Sequence, residues 1–188
     1  MQFMTDELLR RLRSGDNAAW ETLYDQLAPE LRAYLVRLGA RDPDDLLGET
    51  MMQIVRDINK FSGIATEIRA WSFRIAHNRV IDASRRRKSR PTEVPIDETL
   101  DTVPAQAPLA DIPDTELLSG LLDSLTPDQR SVVWLRYVAE LTLDETAAVV
   151  GKTPEAVAAL TYRALASLRR SLHEAPAEES EEIWQQPS

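Results

Sequence analysis

Apolar positions recur at three- and four-residue spacing along most of this chain, and no stretch alternates as a strand does, which predicts an all-α protein. Residues 6–13 (DELLRRLR) read as a short amphipathic helix ended by Ser14-Gly15. Asp16 caps the next helix, because its carboxylate accepts the free N–H groups of a first turn. There Trp20, Leu23, Tyr24, Leu27, Leu31, Tyr34, Leu35 and Leu38 keep the helical spacing up to Gly39, with Pro29 inside it as an expected kink or break. Asp42-Pro43-Asp44-Asp45 opens a further helix with a cap, a first-position proline and carboxylates at the positive end of the dipole. Its expected buried stripe is Leu46, Leu47, Thr50, Met51, Ile54, Val55 and Ile58, with Asp45, Glu49, Gln53 and Arg56 on the other face. Residues 61–66 form a loop, and another helix is expected from near Glu67. Its stretch from Trp71 to Arg90 has no Gly or Pro, an apolar first half and last turns that are almost solid positive charge.

The pattern stops at Pro91. Between Pro91 and Asp114 stand five Pro, six acidic residues and no Lys or Arg. Such a segment buries too little apolar surface to offset its ordering entropy, so it is expected to be an extended acidic, Pro-rich linker. Beyond it, residues 115–125 read as a helix. Thr126-Pro127-Asp128-Gln129 is a capping box that opens the helix of Val132, Val133, Trp134, Leu135 and Tyr137. Thr142 to Glu145 is a second capping box; its helix runs through Val150 to Gly151, and Thr153-Pro154 starts a longer one to about Leu172. A short helix, a Gly-containing turn and a longer helix make a helix-turn-helix. The expected organisation is two small helical domains, 1–90 and 115–173, a linker over 91–114, and a disordered acidic tail over 174–188.

Charge changes what the first domain is for. The net charge of −9 conceals +3 over residues 1–90 and −12 over residues 91–188. Such a split suggests separate partners for the two halves. The positive charge gathers at Arg85, Arg86, Arg87, Lys88 and Arg90. That cluster suits phosphates, with release of their counterions, although a helix C-terminus also welcomes cations on its own account. There is no Cys, which excludes disulfides and thiolate chemistry and makes the cytosol the default location. No apolar run approaches the ~20 residues of a membrane span. His77 and His173 stand far apart without ligand-like company, so neither a metal nor any other cofactor is expected.

Two positions suggest what kind of nucleic acid. Trp71 and Asn78 are seven residues apart, about two turns, and share a face. A large aromatic can stack on an unpaired base and an amide can bond a base edge. Core packing is the ordinary use of a lone Trp. An Asn among apolar residues is harder to explain, since it is a poor helix former and is costly when buried unpaired. The polar face of Asp45, Glu49, Gln53 and Arg56 reads by pattern as a solvated surface. Catalysis is not expected of it without His, Cys, a Gly-rich loop or a second carboxylate cluster. In the helix-turn-helix, Glu155, Ala156, Ala158 and Ala159 offer no base-reading donor. Lys152, Thr153, Thr161, Tyr162 and Arg163 remain, with Arg169 and Arg170 for phosphates.

The ordered set of motifs resembles a family. It comprises Asp16 to Leu38 with Ala28-Pro29, Asp42-Pro-Asp-Asp-Leu-Leu-Gly-Glu-Thr-Met51, Phe61-Ser-Gly63, and Trp71-x-x-Arg-Ile-Ala-x-Asn-Arg-x-x-Asp82 with its arginine run. Leu125-Thr-Pro-Asp-Gln-Arg130, Leu135-Arg-Tyr137, Leu141-Thr-Leu-Asp-Glu145 and Gly151 complete it. Over roughly residues 5–173 this is similar to the extracytoplasmic-function (group IV) sigma factors of bacterial RNA polymerase. The resemblance implies a non-enzymatic, cytoplasmic initiation factor whose partners are core RNA polymerase, promoter DNA and an anti-sigma factor, with no small-molecule substrate and no membrane insertion. It places Asp45, Leu46, Glu49, Gln53 and Arg56 on the polymerase. It gives Phe61, Ser62, Trp71, Arg74, Asn78 and Arg79 to the melted minus-ten element, and Arg85, Arg86, Arg87 and Lys88 to the adjacent duplex backbone. Lys152, Thr153, Tyr162, Arg163 and Arg169 would meet the minus-thirty-five element. Two departures stand out: Gly48, where the family commonly has Gln, and Val157-Ala-Ala-Leu-Thr-Tyr-Arg163, where it often shows Val-Lys-Ser-Arg-Leu-His-Arg. Base reading is therefore expected to rest more on residues 71–90 than is usual. Two other classes fit the bare residues: a helix-turn-helix regulator that works without polymerase, and a helical adaptor for a protein partner.

Overall fold

The computed structural model describes residues 4–89, 122 and 124–174, with side chains to Arg87 in the first stretch and to Ser171 in the second. The linker, Arg90, most of the expected 115–125 helix and the tail from residue 175 lie outside the described residues. All regular structure among the described residues is helical: α1 (Asp6–Arg13), α2 (Asn17–Arg37), α3 (Pro43–Asp57), α4 (Ile68–Ser89), α5 (Pro127–Val133), α6 (Leu143–Val150) and α7 (Pro154–Glu174). Two 3-10 turns, Ile58–Lys60 and Ala65–Glu67, lead from α3 into α4.

Local chemistry sets the starts. Asp16 accepts the N–H groups of Ala18 and Ala19, Asp42 accepts that of Asp45, and Thr126 and Thr142 accept those of Gln129 and Glu145. Gln129 and Glu145 reach back to the threonine N–H groups, closing both capping boxes. Gly151 ends α6 in the left-handed region, φ +65°, where only a residue without Cβ sits free of strain.

Packing overrides three expectations. Pro29 does not break α2, which runs through it; Leu23, Leu27, Leu31 and Leu35 are fully buried on both sides and hold the segment helical despite the lost hydrogen bond. Val55 is 51 % exposed rather than buried, and Tyr24 across from it is also exposed, because no element among the described residues covers the groove between α2 and α3. The helix begun at Pro127 does not stay α: Trp134–Val138 is one π turn, in which Ala139 N–H bonds Trp134 O at 2.9 Å. That widening leaves Trp134 and Leu135 in the core and Tyr137 on the surface.

Helix α4 is central to the fold, packed against α2, α3 and α6. One apolar cluster joins residues of α1 to α4 with Trp134, Leu135, Ala139, Leu141 and Val149, so the two helical units share buried surface. Polar contacts cross the same seam. Arg69 pairs with Glu30 at 2.8 Å and donates to Ala139 O, while Arg130 donates to Arg37 O at 3.3 Å. The Tyr34 hydroxyl lies 2.9 Å from His77 Nδ1 and also bonds the Ser131 side chain. Burial drives the Tyr34 phenol upward and holds His77 below its ordinary value; Asp128 opposes the second shift and Lys152 reinforces it.

Candidate nucleic-acid interface

Helix α4 divides its residues between two tasks by helical geometry. Ile68, Ser72, Phe73, Ala76 and Val80 point into the core. One turn round, Trp71, Arg74, Asn78 and Asp82 edge a cavity of about 610 Å³, closed from the α3 side by Gln53, Asp57, Lys60 and Phe61. The Phe61 and Trp71 rings are in tilted contact, with centroids 5.0 Å apart and planes at 38°, which makes an aromatic wall.

The loop that presents Phe61 is held from three directions. Arg13 of α1 donates to Phe61 O at 2.6 Å, and the Phe61 N–H donates to Asp57 O at 3.1 Å. Glu67 accepts the Ile64 N–H at 3.0 Å. Gly63 fits between them because a Cβ there would stand 2.4 Å from Glu67 Oε2 and 2.6 Å from Phe61 Cζ, closer than such atoms tolerate.

Charge around the cavity is unevenly committed. Asp57 pairs with Lys60 at 2.7 Å, and that hydrogen bond holds its carboxyl below the ordinary value. Arg79 donates to Glu49 at 3.1 Å and to Gln53 at 2.6 Å. Arg74 is exposed and has no ion-pair partner among the described residues. Asp82 lies 3.7 Å from Arg85, and Arg85, Arg86 and Arg87 continue the exposed basic edge; the Lys88 side chain is outside the described residues. The arrangement offers an aromatic surface, an exposed amide and cations at one rim, which is chemistry for holding an unstacked base and its phosphates. Among the described residues no group of three metal-ligating side chains assembles.

The site residues expected from the sequence are distributed as follows. Phe61, Trp71, Arg74, Asn78 and Arg79 come together, with exposed Ser62 in the adjoining loop. On α3, Asp45 and Arg56 are exposed, but Leu46 is 6 % exposed and packs in the core, and Glu49 and Gln53 turn toward α4. In the second unit Lys152 is ion-paired with Asp128 at 2.9 Å, Thr153 caps α7 through the Ala156 N–H, and Arg163 donates to Ala159 O. Tyr162 is 75 % exposed and shares a smaller cleft with Arg163, Arg169, Arg170 and Gln129. Sequence reading missed Arg13, Asp57 and Lys60 as parts of the first site; Gly63 and Asp82 already stood in its motifs, Gly63 in the loop after Phe61 and Asp82 four residues from Asn78.

Two helical units, one with an aromatic-walled cavity beside a basic helix end and the other a helix-turn-helix, mark a DNA-binding protein of transcription. The family model for sigma-70 region 2 matches residues 23–90, and that for sigma-70 region 4 matches residues 121–170. The ECF RNA polymerase sigma factor BldN of Streptomyces coelicolor is 33 % identical over 88 % of this chain, which spans 65 % of that relative's length. The ECF RNA polymerase sigma factor SigF of Caulobacter vibrioides is 31 % identical, with 89 % of this chain and 93 % of that one covered. Among solved structures, CnrH in complex with the cytosolic domain of CnrY has the same fold at 22 % identity, with a TM-score of 0.64 and 92 % and 99 % of the two chains covered. Sigma factor RpoE in complex with the anti-sigma factor NepR, from Bartonella quintana, gives 0.64 at 20 % identity, covering 83 % and 98 %. This chain belongs to the extracytoplasmic-function sigma factors of the sigma-70 family.

Proposed function

We propose that this chain binds core RNA polymerase and confers promoter choice and strand opening on it, taking an extruded base of the minus-ten element into the α4 cavity. The observation that carries this is the Phe61–Trp71 aromatic wall with Asn78 and Arg74 exposed at its rim. Melting needs interactions available only to a base that has left the duplex, and base–aromatic stacking contributes about 1–3 kcal/mol of that kind. Arg85, Arg86 and Arg87 then hold adjacent duplex without reading it. The chain works by binding, in the bacterial cytoplasm, and leaves bond-making to the polymerase.

The polymerase meets α3 through Asp45 and Arg56. Region 4 lies on the minus-thirty-five element through α7, with Tyr162, Arg163 and Arg169 as its main contacts. The boundary between the two domains falls in residues 91–114, a division supported by family matches that stop at 90 and resume at 121. An anti-sigma factor is the expected negative partner, since the RpoE relative of like fold was solved with one.

The test is to mix the chain with core polymerase and a fluorescent minus-ten single strand. Strand binding that requires the polymerase is the expected result. Binding without polymerase would point instead to a free-standing regulator, and no binding under either condition to a protein adaptor.

A further inference from the structure

We propose that Arg79 is a positioning residue that fixes the spacing of α3 and α4 across the base cavity, and is not itself a contact to DNA. The proposal rests on the reading of that cavity as the strand site, and reassigns one residue within it. Neighbouring Asn78 faces outward; one residue on, about 100° round the helix, Arg79 points at α3. Its Nη1 donates to Glu49 Oε2 at 3.1 Å and its Nη2 to Gln53 Oε1 at 2.6 Å. Glu49 and Gln53 are one turn apart on α3, so the planar guanidinium spans two rungs of the opposite helix.

Its charge is already answered by the Glu49 carboxylate, and its side chain is only 26 % exposed. A phosphate approaching Arg79 would meet that carboxylate at once. Arg74 presents the opposite case, exposed and without an ion-pair partner among the described residues. Gln53 lines the cavity beside Arg79. The fork therefore determines where the α3 wall stands relative to Asn78 and Trp71. A lysine could not replace it, because an ammonium on a flexible stem does not hold two acceptors in one plane.

The chain has no native cysteine, so two can be introduced for spin labels, Met52→Cys on α3 and Arg85→Cys on α4. The distance distribution between them is measured in the full chain with Arg79, with Arg79→Ala, and with the swapped pair Glu49→Arg and Arg79→Glu. Far-UV circular dichroism confirms that each variant folds. The proposal expects a broadened or shifted distance for Arg79→Ala and its recovery in the swapped pair. An unchanged distance in Arg79→Ala would overturn it.

The same Arg79 variants without the two cysteines, at saturating core polymerase, are titrated with a fluorescein-labelled single strand selected from a random pool by the wild-type holoenzyme. Arg79→Ala should weaken binding about tenfold with the same salt dependence, and the swapped pair should recover most of the loss. Loss of about 0.7 from the salt slope, the contribution of one single-strand phosphate, with no recovery in the swapped pair would make Arg79 a DNA contact. If wild-type holoenzyme selects no strand while the spin-label distances respond as expected, the functional reading fails and the strut stands.

Discussion

Helices α4 and α7 are the two long helices with exposed basic residues, at 22 and 21 residues, and they present them differently. On α4 the outward residues converge: Trp71 is backed by Phe61, Asn78 and Arg74 stand clear, and Arg79 is braced against α3. In the first turns of α7 and the turn before it the polar groups are engaged locally. The Thr161 hydroxyl bonds Val157 O, Arg163 donates to Ala159 O, Lys152 ahead of the helix is held by Asp128, and Ala158 and Ala159 occupy exposed positions. Tyr162, Arg169 and Arg170 remain outward. A helix in a groove needs donors aimed at base edges, whereas a cavity needs one stacking surface and one amide. The first unit has its requirement and the second largely lacks it, so sequence selection should be concentrated in α4.

The sharpest way to break this comparison is to remove each helix's readers. Trp71→Ala and Asn78→Ala are expected to weaken strand binding by the holoenzyme by about 5- to 150-fold, the range of 1–3 kcal/mol for a stacked or bidentate base contact. Arg163→Ala should cost only about twofold to fivefold in promoter activity, as for one exposed ionic contact. If scrambling the minus-thirty-five sequence costs as much as Asn78→Ala, the concentration of reading in α4 is wrong. A large scrambling loss with no effect of Arg163→Ala would also rule out Arg163 as the chief base contact of α7.

A second, smaller lever separates grip from reading. Replacing Arg85, Arg86 and Arg87 together with Ala should lower the salt slope of duplex binding by up to about 2.7, at about 0.9 per phosphate, with equal loss on all sequences. Gly63→Ala should act on reading and not on grip. Its Cβ would meet Glu67 Oε2 at 2.4 Å and the Phe61 ring at 2.6 Å, disturbing the loop that presents Phe61 to Trp71, so strand binding should fall by about tenfold, within the stacking range, while the salt slope of duplex binding holds.

The seam between the units carries its own signature. His77 is held neutral below its ordinary 6.5 by burial, with Tyr34, Ser131, Asp128 and Lys152 facing the seam around it. The unfolded chain therefore takes up a proton first as pH falls, so stability is complete above about pH 6.5 and declines below it toward the folded value. Urea unfolding near pH 7.5 and 5.5 should show this slope, and His77→Gln should flatten it; an unchanged slope in the variant would remove His77 as its source. The smallest effect expected is at Gly48, mid-helix in α3 with open space where a Cβ would go. Gly48→Ala should stabilise the chain by about 0.5–1 kcal/mol, read as a rise in Tm.

The sequence by itself determined where the helices begin and which residues share a helix face. Asp16, Asp42, Thr126 and Thr142 cap their own first turns, and a cap with its N–H groups lies within three residues, so local spacing specifies it. The Trp71 and Asn78 face follows likewise from helical periodicity. What covers each face was decided only in three dimensions. Val55 and Leu46 sit on one apolar stripe, yet one is half in solvent and the other in the core, because α2 and its neighbours shield only part of α3. Glu49 and Gln53 read as a solvated face until Arg79, 30 and 26 residues further on, reaches across to them. The contact of Arg69 with Ala139 O spans 70 residues. Periodicity states that a helix has two faces; only the packing of distant segments determines which of them meets water, which meets the core and which meets another charge.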